Sequence, residues 1–96
     1  MRKGTTSTGF AYEFDEVRLD DMRFVEVLAI VMDPEAPAFD KIAGVSKLLT
    51  MILGEDQKEA LYAHIGKGYD GGRVPRAEVE KALEEIMSGT DAEKNS

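Results

Sequence analysis

No cysteine occurs among the 96 residues. Disulfides, thiolate metal ligands and a thiol nucleophile are thereby excluded; the composition fits a reducing compartment, and the cytoplasm is the expected location. Positive charge is scarce as well. Twelve Lys and Arg face nineteen Asp and Glu, a formal net charge of −7. No basic cluster is dense enough to overcome that locally, so nucleic acid is not an expected partner. Long apolar runs are also missing. The longest, Val27 to Met32, falls far short of the ~20 residues a membrane-spanning helix needs. Arg2 and Lys3 are followed by Gly4-Thr5-Thr6-Ser7-Thr8, not by the apolar core of a signal peptide. Neither a membrane nor export by that route is expected.

Catalytic chemistry has little to work with. His64 is the only histidine, and one imidazole without a cysteine or a second histidine makes a poor metal site. No serine sits in a G-x-S-x-G elbow. Acids are plentiful, among them Glu13, Asp15, Glu16, Glu80 and Glu84, but nothing indicates the burial that would raise one for general acid work. Gly66-Lys67-Gly68-Tyr69-Asp70-Gly71 matches the dinucleotide pattern G-x-G-x-x-G, yet the segment before it reads as a helix rather than a strand, and only 25 residues follow it. Aligning the same loop with a calcium-binding loop puts Lys67, Tyr69 and Gly71 where oxygen ligands belong. No catalytic residue, metal or cofactor is expected, and the chain does not read as an enzyme.

What the sequence does contain is apolar helix. Hydrophobic residues make up 43% of the chain, enough for one core. The polar ends, 1–8 and 90–96, are expected to be flexible around a single helical domain at 9–89. Phe10, Tyr12 and Phe14 alternate as in a strand with one buried face. Its partner is either Val17–Leu19 or the first residues in a hairpin. Asp20 or Asp21 caps a first helix, Met22–Met32, stopped by Asp33-Pro34. Only two of its eleven residues, Arg23 and Glu26, are polar, and a helix apolar nearly all round is either central to a core or covered by another chain. Phe39, Ile42, Val45, Leu49 and Ile52 mark the inward stripe of a second helix that Gly54 ends. A third helix carries Leu61, Tyr62 and Ile65; a fourth begins near Pro75, carries Val79, Ala82, Leu83, Ile86 and Met87, and closes at Gly89. The expected fold is mainly α, a compact bundle of about four helices with a short N-terminal strand or hairpin.

The ordered set Gly9-Phe10, Tyr12-Glu13-Phe14-Asp15-Glu16, Leu19-Asp20-Asp21-Met22, Lys47-Leu48-Leu49, Leu53-Gly54-Glu55-Asp56-Gln57-Lys58, Leu61-Tyr62 with His64, and Asp70-Gly71-Gly72-Arg73-Val74-Pro75 resembles the tail assembly chaperones of bacteriophages with long non-contractile tails, particularly those of Gram-positive hosts. The resemblance spans most of the chain, with an additional Gly72 and a first helix richer in β-branched residues than the family pattern. It implies a helical homo-oligomer that coats and solubilises the aggregation-prone tape measure protein in the host cytoplasm. It also implies recruitment of tail tube protein, with the chaperone absent from the mature virion. Apolar helices would cover the client's apolar helices, and the acidic exterior would keep the assembly dispersed. Phe24, Leu28, Met32, Leu48 and Met51 are the candidate contact residues, and for each of them a place in the core is the alternative reading. The rival expectation is a small acidic regulatory or inhibitory protein that presents Glu80, Glu84 and neighbouring acids to a basic cleft, as a nucleic-acid mimic would.

Overall fold

A β-hairpin opens the chain. In the computed structural model, which describes residues 1–89, strand β1 (Arg2–Thr5) pairs antiparallel with β2 (Ala11–Phe14), Gly4 facing Tyr12. The open question of the strand's partner is thus answered by the first residues. Segment 1–8 is no loose lead-in, a correction to the expectation of a flexible end, and the tail expected at 90–96 lies outside the described residues. Sequence alone gave little hint of β1, because Arg-Lys-Gly-Thr carries no apolar alternation. The connecting turn closes through Thr6, whose amide donates to the Phe10 carbonyl (2.9 Å) and whose hydroxyl accepts from the Phe10 amide (3.1 Å). Gly9 has φ 99°, a conformation available to glycine at little steric cost.

After a 3-10 turn at Glu16–Leu19 comes α1 (Met22–Met32). Its bounds agree with the sequence because side-chain chemistry sets both. Asp21 accepts from the Arg23 amide (2.8 Å), and past Asp33 its carboxylate accepts from the Glu35 amide (2.8 Å) in a turn that Pro34 prevents from continuing as helix. Helix α2 runs Ala38–Gly66 with one non-helical residue, Gly54 (φ 81°, ψ 165°), and α3 runs Arg76–Ser88, ended by left-handed Gly89. The protein is mainly helical with a two-stranded hairpin. Among the described residues there are three α-helices where about four are expected, because the expected second and third helices are the two arms of α2, 38–53 and 55–66, on either side of Gly54. These arms fold toward each other. Lys58 Nζ lies 3.3 Å from Ser46 Oγ, whereas on a straight helix those positions would be about 18 Å apart, beyond the reach of a lysine.

The hairpin and the three α-helices bury into one core. Phe10, Tyr12 and Phe14 enter from the hairpin, Phe24 from α1, Leu48, Leu49, Ile52 and Leu61 from α2, and Leu83 and Ile86 from α3. Two arginines of the N-terminal segment cap helix ends. Arg2 donates to the carbonyls of Ile86 (3.2 Å) and Met87 (3.0 Å), and Arg18 to those of Met51 (3.3 Å) and Ile52 (3.4 Å). Each cation meets the negative end of a helical run. Gln57 adds a third tie, accepting from the Glu13 amide and donating to its carbonyl, so its side chain satisfies backbone of β2.

Glu85 supplies a fourth. Its carboxylate accepts from the Ser7 amide at 2.9 Å. Partial burial pushes its pKa up, but the amide and hydroxyl of Ser7, with Lys81 nearby, outweigh this and hold it below the ordinary glutamate value of 4.5. A carboxyl depressed in the folded state stabilises above its unfolded pKa and loses that contribution as pH falls through the folded one. Glu85→Ala is therefore expected to lower the urea midpoint at pH 7 and to have a smaller effect at pH 3, checked by paired denaturation curves. An equal effect at both pH values would remove the carboxylate's charge from the account.

Candidate functional site

The surface that stands out is the outer side of α1. The helix rests on α2 at Gly44, where an added Cβ would lie 2.6 Å from Val31 Cγ2. Gly44 thus permits a close crossing. Phe24 is fully buried there, and Val27, Leu28 and Val31 pack against the core. The opposite side stays open. Met22 is 70% exposed and Met32 73%, Val25 and Ile30 are also exposed, and Phe39 in the first turn of α2 is 85% exposed. Met22, Val25, Ala29 and Met32 follow at spacings of three and four, so they line one stripe over three turns of helix.

The five expected contact residues divide. Met32 lies on this open face. Leu28 and Met51 are partly buried at the margin of the core. Phe24 and Leu48, at 2% and 0% exposure, lie in the core, the alternative reading for each. Phe39 is corrected, since it was expected to head an inward stripe and instead points to solvent beyond Pro37. Met22, Val25 and Ile30 lie outside the expected contact set. A signal for them existed in the sequence. Arg23 and Glu26, the only polar residues of α1, mark its wet side, and Met22 and Ile30 lie one turn either side of Glu26.

The other expected features have ordinary structural roles. His64 Nε2 sits 3.1 Å from the Thr8 carbonyl and 3.2 Å from its hydroxyl, with the ring against Phe10. Gly66 is buried where an added Cβ would lie 2.6 Å from the Gly72 carbonyl oxygen, so the G-x-G-x-x-G match contains a helix-to-loop close approach. Helix α2 delivers this loop, as the sequence indicated. A depression of about 360 Å³ lies alongside, lined by Thr8, His64, Ile65, Lys67, Tyr69 and Glu78 among others. Glu80 pairs with Arg76 at 3.4 Å, which commits part of the acidic face of α3 within the chain. Among the described residues no three His, Cys, Asp or Glu are grouped as a metal site, and no helix is long and apolar enough to cross a membrane.

Exposed apolar side chains at this density, on a domain with a satisfied polar interior, can do one thing well, which is to bury against another apolar surface. Comparison with known protein families, with curated proteins and with solved structures gives no match.

Proposed function

We propose that this chain is a protein-binding chaperone of the phage tail assembly type, which holds the tape measure protein in solution, associates with further copies of itself and helps recruit tail tube protein in the host cytoplasm. The observation that carries this reading is the open apolar face of α1 with Phe39. Two methionines, a valine and an isoleucine exposed on one short helix, with an exposed phenylalanine opening the next, make a concentration of apolar surface of the kind that marks interaction sites. Methionine suits the role, because its flexible thioether adapts to partners of irregular shape.

Co-expression with a tape measure protein from the same genome tests the proposal. The wild-type chain is expected to keep the client in the supernatant at low and high salt. The double variant Val25→Asp, Met32→Asp changes only exposed positions, so it should keep the circular dichroism of the wild type while the client precipitates. A client that stays soluble with the double variant, or precipitates with the wild type, would overturn the reading.

A further inference from the structure

The charge around α1 specifies what the face takes. Between residues 20 and 41 the chain has six acids, Asp20, Asp21, Glu26, Asp33, Glu35 and Asp40, and two bases, Arg23 and the half-buried Lys41. Arg23 lies 3.5 Å from Asp21 and is itself 84% exposed, so it offsets one of these charges and leaves the region acidic. Asp20, Glu26, Asp33, Glu35 and Asp40 are exposed and enter no ion pair among the described residues. The acids are distributed along the apolar surface rather than gathered away from it. Asp20 and Asp21 precede Met22, Glu26 stands between Met22 and Ile30 on the outer side, Asp33 follows Met32, and Asp40 adjoins Phe39. An incoming surface thus meets apolar side chains with negative charge at both ends and at the middle.

Resting on the protein-binding reading above, we infer that the α1 face receives one amphipathic helix of another protein, with an apolar stripe flanked by Lys and Arg. A helix fits the shape, since the exposed stripe is a straight ridge whose residues recur every three and four positions, and such ridges pack against the grooves of a second helix. The basic flanks follow from the charge, because like charges brought together at an interface cost affinity while opposite ones steer and fix register. The same argument disfavours a second copy of this chain on the face. A two-fold pairing of α1 with itself would set two copies of the same acids against each other in a molecule already at −7. Association between copies therefore uses another surface.

Three synthetic helical peptides matched to α1 in length test this: one with a leucine stripe and lysine flanks, one with the same stripe and glutamate flanks, and one with the lysine peptide's composition scrambled to remove the stripe. Affinity is read by calorimetry and the site by amide chemical shifts. The lysine-flanked peptide is expected to perturb residues 22–32 and 39 and to bind at least about tenfold more tightly than the glutamate-flanked one. That preference should shrink in about 0.5 M salt, and the Glu26→Lys, Glu35→Lys variant should reduce or invert it. Equal affinity for both flank types, equal affinity for the scrambled peptide, perturbations elsewhere, or sedimentation of a dimer that protects α1 would each overturn the inference. Failure here is separable from failure of the chaperone reading. If the Val25→Asp, Met32→Asp variant loses the client while both flank types bind alike, only the partner's charge is wrong. If the charge preference holds while wild-type chain leaves the tape measure protein insoluble, only the client is wrong.

Discussion

Phe24→Ala is expected to destabilise the chain by about 3–5 kcal/mol, the usual range for emptying a buried phenylalanine site. Small domains have about 5–15 kcal/mol in total, so the variant should stand near the edge of folding. Phe24 is the one fully buried side chain of α1, and Val27, Leu28 and Val31 only half-bury beside it. Removing the ring therefore removes the one fully buried side chain that α1 contributes to the core. Urea denaturation checks the result: the midpoint should fall sharply with the slope unchanged if the chain still unfolds as one unit. Met32→Ala is the internal control. With its side chain in solvent, it should alter stability by no more than about 0.5 kcal/mol. A Phe24 variant as stable as the Met32 variant would mean that α1 is not anchored through this ring, and the distinction between its two faces would fall with it.

Those two faces show where sequence reading succeeds and where it stops. The ends of α1 were legible because Asp21 and Asp33-Pro34 act through bonds a few residues long, and the same local chemistry at Pro75 and Gly89 bounds α3. The inward side of β2 was legible from Phe10, Tyr12 and Phe14, all buried. By contrast, β1 depends on partners more than eighty residues away, such as the α3 carbonyls that Arg2 caps, and no local pattern encodes those. Apolar content left α1 either central to the core or covered by another chain, and in the structure one side is buried and the other exposed. Which side was exposed depended on where α2 crosses, and that is set by Gly44, a residue whose significance lies in a contact with Val31 rather than in its own helix.

The same difference between local preference and distant packing governs Gly54, and the second large effect is expected there. Its φ and ψ, 81° and 165°, lie in a region essentially closed to residues with a Cβ, and occupying it costs roughly 1–3 kcal/mol. Space is not the obstacle, since nothing lies within 4 Å of where the Cβ would stand. Gly54→Ala should therefore destabilise by about that amount through the backbone alone, and Gly54→Val by more, because a β-branched side chain tolerates positive φ least. Alanine also has an alternative. In a straight α2 it would be favourable by about 1 kcal/mol over glycine, but straightening would break the Lys58–Ser46 contact and part Leu61 and Ile65 on one arm from Leu48 and Ile52 on the other. That core can be rebuilt between two chains only by exchanging arms, the route of domain swapping. The variant is thus expected to show a lowered urea midpoint together with a dimer that grows with protein concentration in size-exclusion chromatography with light scattering. A Gly54→Ala protein as stable as the wild type and unchanged in mass would mean that the chain makes its bend without the conformation seen at residue 54. The bend would then belong to the packing of the arms and to the ties at Arg18 and Gln57, not to the glycine.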